Sequence, residues 1–267
     1  MPRFSACALI IVALCSFLSS ATTNGAIPNS GARLTQVVSD VKVLPPRSEP
    51  RAAALNDAVL DGEAVRTGTA SRSELTFPDL AIIRLGANTI FSFGRAGRDV
   101  RLTAGSILLQ APSGSGGRNI RTDPVTVAIT GTTVIFEHAR DGASRLVVLE
   151  GGARLSLARA PAQFRDLRGG QMLEVPPRAR TLGVPVEVNL KEVMRTHPLA
   201  NNFRPLSSRE QIARASREQA NRVRSANTAA PSRGAGAPSG APGAGAPPGA
   251  PAGPGAPAPG GTGGRGP

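Results

Sequence analysis

Few side chains in this 267-residue chain are suited to chemistry. It has two histidines, His138 and His197, and two cysteines, Cys7 and Cys15, and it lacks tryptophan and tyrosine. His138 ends an apolar run with no acid or nucleophile pattern around it, and reads as a solvent-facing strand-end residue. His197 stands before Pro198 in a connecting segment and reads the same way. A zinc site would then need several carboxylates brought together by the fold. Asp61, Glu63, Glu74 and Asp79 are close in sequence, and paired acids can run glycoside hydrolysis. Turn-forming Asp and a solvated strand Glu account for them more simply. Residues 113–117 (SGSGG) could offer backbone amides to an anion, but they precede a strand and lack the Lys and Ser/Thr of a P-loop. A flexible hairpin loop is the expected role. No catalytic, cofactor-binding or metal-binding constellation emerges, and the chain is expected not to be an enzyme.

The other resource is charge. Lys and Arg number 31 against 18 Asp and Glu, a net charge of +13, and all but Lys42 and Lys191 of the basic residues are arginine. Arg, Ala, Gly and Pro all use GC-rich codons, so base composition and a selected anion-binding role both account for the excess. Residues 30–178 hold 19 basic and 14 acidic side chains, and residues 179–267 hold 11 and 4, so the excess is concentrated toward the C terminus. There Arg209, Arg214, Arg217, Arg222 and Arg224 could touch anionic lipid headgroups, polyanionic wall polymer or an acidic protein face. A solvated arginine-rich helix is the plain alternative. With only 8 Phe as aromatics, flat platforms for bases or sugars are scarce.

The amino terminus indicates the compartment. Arg3 precedes an apolar stretch over residues 6–18, too short to span a bilayer comfortably and suited to a signal-peptide core. Ser19 and Ala21 give the small-residue spacing for cleavage after Ala21, with Ala26 a second position. Leu14 before Cys15 is too bulky for a usual lipobox. Both cysteines fall inside residues 1–21, so the mature chain would carry no thiol and no disulfide. Export to the periplasm or beyond, as a soluble protein, argues against nucleic acid as a partner.

Elements able to position side chains begin near residue 33. Short apolar runs recur at 34–43, 73–77, 81–85, 89–93, 100–102, 106–110, 125–130, 133–137, 145–149, 153–157 and 171–175, separated by Gly, Asp, Asn and Pro. Val125, Val127 and Ile129 alternate with Thr126, Ala128 and Thr130, the period of a half-buried strand. Residues 33–178 are therefore expected to form an all-β domain, an antiparallel sandwich, roll or short solenoid of many short strands. Residues 179–228 read as a basic linker, with 184–189 one further strand and 190–196 a short helix. Ser208 and Gln211 have capping-box spacing before a helix over 209–225, whose thin apolar stripe of Ile212 and Val223 would fray in isolation. Of residues 229–267, 34 are Ala, Gly or Pro without a strict third-position Gly, which excludes collagen and predicts a disordered tail.

A longer pattern runs through the β region. It comprises Asp61-Gly62-Glu63-Ala64-Val65-Arg66-Thr67-Gly68, Ser71-Arg72-Ser73-Glu74-Leu75, Phe77-Pro78-Asp79 and Ile83-Arg84-Leu85-Gly86-Ala87-Asn88-Thr89. Gly105-Ser106-Ile107, Ile120-Arg121-Thr122, Val127-Ala128-Ile129-Thr130-Gly131-Thr132, Val148-Leu149-Glu150-Gly151 and Gly169-Gly170-Gln171 continue it. In this order the elements resemble the FecR domain, the periplasmic portion of bacterial iron-uptake regulators, over about residues 33–178. Gly62, Gly68, Gly105, Gly131 and Gly151 would serve tight turns, and Thr67, Thr122 and Thr132 would bond backbone groups beside them. The family often has Gly where Leu80 stands, after a type I turn with Pro78 and Asp79 at its centre. Because the chain opens on a cleavable signal, the resemblance implies the extracytoplasmic module without the cytoplasmic anti-sigma half. The expected function is a non-enzymatic exported FecR-like protein that binds another envelope protein, in sensing or regulation. The alternative is an envelope structural protein contacting anionic polymer or lipid through its arginine-rich segment.

Overall fold

The computed structural model describes residues 31–229, with side chains through Ser225. The expected signal segment and most of the Ala/Gly/Pro tail lie outside the described residues.

The fold is all-β with three helices at its C-terminal end, and most of its strands are bent. β1 (Gly31–Val38) continues into β2 (Val41–Leu44), and β3 (Arg51–Ala52) and β4 (Ala58–Leu60) make a short excursion. β5 (Ala64–Thr67) leads to β6 (Arg72–Thr76), then β7 (Ile82–Leu85) to β8 (Ile90–Gly94), before the unbroken β9 (Asp99–Gln110). β10 (Arg118–Arg121) precedes β11 (Val125–Ile129) with β12 (Thr133–His138), β13 (Ser144–Glu150) with β14 (Gly152–Leu157), and β15 (Ala160–Arg168) with β16 (Gln171–Val175). β17 (Val186–Glu187) is followed by α1 (Leu190–Thr196), α2 (Pro198–Asn201) and α3 (Arg209–Ala229).

These strands form one continuous sheet folded into two layers. The front layer runs β4-β1-β6-β7-β9-β12-β13-β16-β17. The back layer runs β3-β2-β5-β8-β9-β10-β11-β14-β15. All neighbours are antiparallel except β9 and β10. Residues 113–117 thus belong to a crossover between parallel strands, which corrects the expected hairpin loop. Leu75, Ile83, Ile107, Val134, Phe136 and Val148 of the front layer meet Val65, Phe91, Leu102, Ile120, Val127 and Leu155 of the back layer in one buried core.

Each bent strand turns its corner at residues that accept a left-handed backbone. Positive φ occurs at Ser39 (62°), Ala70 (52°), Asn88 (54°), Gly105 (102°), Gly131 (59°), Gly151 (78°) and Gly170 (90°). Gly68, Gly105, Gly131 and Gly151 mark passage from one layer to the other along bent strands, and Gly62 lies in the tight turn over 60–63 that leads from front-layer β4 to back-layer β5. Alternation of apolar residues locates strands but does not reveal whether a glycine ends one or bends it, so the tight-turn reading needed this correction.

At a corner the backbone ladder is interrupted, and hydroxyls fill the gaps. Thr67 Oγ1 donates to Gly86 O at 2.5 Å and accepts from Thr89 N at 2.9 Å. Thr89 Oγ1 accepts from Ser106 N at 3.1 Å, and Thr132 Oγ1 donates to Gly152 O at 2.8 Å. Ser71 Oγ accepts from Asp40 N at 3.0 Å. Thr67 and Thr132 thus satisfy backbone groups as expected, but those of the adjoining corner, about twenty residues away. Thr122 acts locally, on Val125, and Thr132 Oγ1 also lies 3.0 Å from its neighbour Thr130 O.

Between β6 and β7, Leu80 N donates to Phe77 O at 3.0 Å, closing the turn centred on Pro78 and Asp79, and Leu80 has φ 63°. An exposed leucine held left-handed is strained and gains no burial there. Leu80→Gly is expected to raise stability by about 0.5–1 kcal/mol, read as a higher urea midpoint at unchanged slope.

The middle of the front layer is buried on both faces. Its outward residues Leu108, Ile135, Val147 and Leu149 join Leu190, Leu199, Leu206 and Ile212 in a second buried cluster. The segment read as a basic linker carries these last four residues, so the helical part of 179–228 packs as a strap across the front layer. α3 is 21 residues long, and its inward positions Ile212, Ser216 and Gln219 repeat at helical spacing. The apolar stripe is thin because buried Ser and Gln share that face.

Candidate functional site

The strap is held by polar groups of the front layer. Arg84, 1% exposed, donates from Nε to Glu74 Oε2 at 2.9 Å, from Nη1 to Leu199 O at 3.1 Å and from Nη2 to Arg204 O at 2.5 Å. Its guanidinium carbon lies 4.8 Å from the centroid of the Phe203 ring. Burial lowers the Arg84 pKa from its ordinary value, and the hydrogen bond and charge of Glu74 oppose that shift. Glu74 also accepts from Thr35 Oγ1 at 2.9 Å. A solvated Glu74 was expected, and the structure corrects this, because the strap covers the face on which it sits.

Further along, Thr133 Oγ1 donates to Glu150 Oε1 at 2.7 Å and shares a 2.8 Å hydrogen bond with Ser208 Oγ. Buried Gln219 donates to Gly170 O at 2.9 Å and to Val188 O, and accepts from Leu190 N at 3.4 Å. It therefore fixes α3 to the β16–β17 region and to the start of α1.

The four carboxylates do not converge on a site. Asp61 accepts from Ala96 N, and Glu63 from Leu60 N at 2.8 Å. Asp79 accepts from Ala81 N at 3.2 Å and from buried Arg118, which also donates to Gly97 O at 2.5 Å. Among the described residues no group of three or more His, Cys, Asp or Glu could hold a metal ion.

His138 is buried and His197 is half-buried, which corrects the expectation of two solvent-facing side chains. His138 is 6% exposed and its Nδ1 lies 2.9 Å from Ser144 Oγ. His197 Nδ1 accepts from Leu199 N at 3.2 Å, capping α2, and its Nε2 lies 3.3 Å from Glu137 Oε1. That hydrogen bond is the main cause of a lowered Glu137 pKa, and Arg145 adds to it. Burial lowers the His138 pKa from 6.5, despite opposing contributions from the Ala143 backbone and two aspartates. As pH falls below 6.5 the unfolded chain takes up this proton before the folded one, so stability declines with acidity. His138→Gln should flatten the decline, by at most about 1 kcal/mol per pH unit, in urea denaturation across pH 5–7.

The five arginines of α3 do not form one patch. Arg222 donates to Gly169 O at 3.1 Å and lies 3.6 Å from Glu187, tying the helix to the fold. Arg209 and Arg217 border a groove between α3 and the two shorter helices. Arg214 and Arg224 are exposed elsewhere on the helix. At 100° per residue these positions spread over well more than half the helix circumference.

The family model described as FecR protein matches residues 63–154. The chain carries a FecR domain. The match runs from the start of β5 into β14, and so takes in the corners at Gly105, Gly131 and Gly151 and both residues of the Glu74–Arg84 pair. β1, α1, α2 and α3 lie beyond it, so the FecR domain meets the strap through Arg84. No curated protein matches the chain. Two crystal structures of a "putative anti-sigma factor" from Parabacteroides distasonis ATCC 8503 are similar at 12% identity, with TM-scores of 0.43 and 0.42. Each alignment covers 49% of this chain and 62% of that protein, so the chain spans less than two thirds of its length. Among the described residues no helix is long and apolar enough to cross a membrane.

Proposed function

We propose that the chain is a non-enzymatic regulatory or sensing protein of the cell envelope that acts by binding another protein. The observation that carries this reading is the FecR match over residues 63–154. The fates of the conspicuous polar residues support it. Glu74, Asp79, His138 and His197 are taken up by ion pairs, caps and strand-end hydrogen bonds that hold the fold. The apolar segment at residues 6–18 and the small residues behind it support export.

The experiment is removal of the protein from the cell that makes it, with transcripts measured before and after. A defined set of transcripts should change and be restored by the full chain. An unchanged transcript profile, together with no envelope protein recovered by crosslinking, would defeat the reading. An adjacent sigma-factor gene would be an inexpensive supporting observation. The second reading, contact with anionic wall polymer or lipid, draws on the exposed Arg209, Arg214 and Arg217. It requires binding that fades as salt approaches a few tenths molar.

A further inference from the structure

An open groove of about 740 Å³ lies between α1–α2 and the first half of α3. Leu190, Met194, Phe203, Leu206 and Ile212 make it apolar, and Lys191, Arg195, Arg209 and Arg217 stand among its lining, which has no acidic residue. Arg195 is held by Glu192 at 2.6 Å. Lys191, Arg209 and Arg217 are exposed and form no ion pair among the described residues.

We propose that this groove receives a short, acidic, amphipathic segment of a partner protein. The proposal rests on the protein-binding reading above and adds the place and the chemistry. An apolar floor bordered by charge is the arrangement that accepts one face of a helix, with anchors below and counter-charges at the edge. From Arg209 to Arg217 the groove runs about 12 Å along α3, or two turns of a docked helix.

Charge decides the occupant. Residues 1–30 and 230–267 contain no Asp or Glu, so neither segment can neutralise the three cations. A second copy docked by a twofold axis through this face would set like-charged rims against each other. A partner bearing carboxylates is what remains.

The test uses the full chain and two fluorescein-labelled 14-residue peptides. Both place Leu at i, i+3, i+4 and i+7, one with Glu on the flanks and the other with Lys. Anisotropy titration should show the Glu peptide binding at least tenfold more tightly, and weakening with salt. The double variant Arg209→Glu, Arg217→Glu should reduce that binding at least tenfold. The double variant Arg140→Glu, Arg159→Glu makes the same charge change on the exposed β12–β13 and β14–β15 turns and should leave binding unaltered. Equal binding of the two peptides, no binding, or equal loss in both variants overturns the proposal. Binding to phosphatidylglycerol vesicles that is lost in the groove variant, with no peptide preference, assigns the groove to lipid and also overturns it.

A photo-crosslinking residue at Ala213, in the groove, or at Ala128, on the back layer, separates this proposal from the reading beneath it. An acidic partner segment captured at 213 supports the groove. Capture at 128 alone defeats the groove and keeps the protein-binding reading, and capture at neither defeats both.

Discussion

Arg84→Met is expected to lower the stability of the protein by about 3–5 kcal/mol. Removing the guanidinium leaves Glu74, 7% exposed, without its cation and strips donors from the carbonyls of Leu199 and Arg204. The Coulomb term alone does not set this magnitude, because a buried pair must also overcome the cost of leaving water. The loss comes from stranding one charge after the other is gone. The double variant Arg84→Met, Glu74→Met should therefore recover more than half of the stability. It should not recover the strap, whose carbonyls still lack donors. Urea denaturation reads the first effect, and limited proteolysis between residues 197 and 207 reads the second. A single variant with less than about 1 kcal/mol of loss and unchanged cleavage would show that apolar packing alone holds the strap.

The second large effect is expected at the middle of β9. Gly105 has φ 102°, and a Cβ added there would lie 2.3 Å from Thr89 Oγ1 and 2.5 Å from Thr89 Cα. Thr89 cannot retreat freely, since its hydroxyl accepts from Ser106 N and donates across the same corner. Gly105→Ala should cost about 3–5 kcal/mol, combining a disfavoured backbone with a backbone clash. Gly62→Ala is the comparison. Its φ is 86°, and nothing lies within 4 Å of the added carbon. It should cost about 1–2 kcal/mol, the conformational part alone. Equal losses at the two sites would mean that the corner yields readily.

Much of the β architecture was legible because the apolar alternation is strong. The run at 34–43 became β1 and β2, and the runs at 100–102 and 106–110 became the single β9. β15 was missed, because Ala160–Arg168 is almost wholly exposed and contains Pro161, so it lacks the alternation of a half-buried strand. The cover over the front layer had a signal that went unread. Val134-Ile135-Phe136 and Val147-Val148-Leu149 are continuous apolar runs, the mark of a strand buried on both faces, whereas Val125–Ile129 alternates. Such runs require something packed outside the sheet, and the strap is what packs there. The polar anchors were harder to foresee, since Arg84 and Glu74 lie ten residues apart and only pairing of β6 with β7 makes them neighbours. The groove was not legible, because two of its walls come from helices whose mutual placement no local pattern encodes.

Arg84 has one further neighbour of consequence. In the pairing of β7 with β9 it stands opposite Leu108, three residues beyond Gly105 on a strand that enters both layers. The strap, the ion pair and that strand are consequently coupled in series, as a handle is to an axle. The helices therefore rest, through Leu108, on a strand whose other end is built into the opposite layer, so the cover of one face and the ladder of the other share a single unbroken backbone.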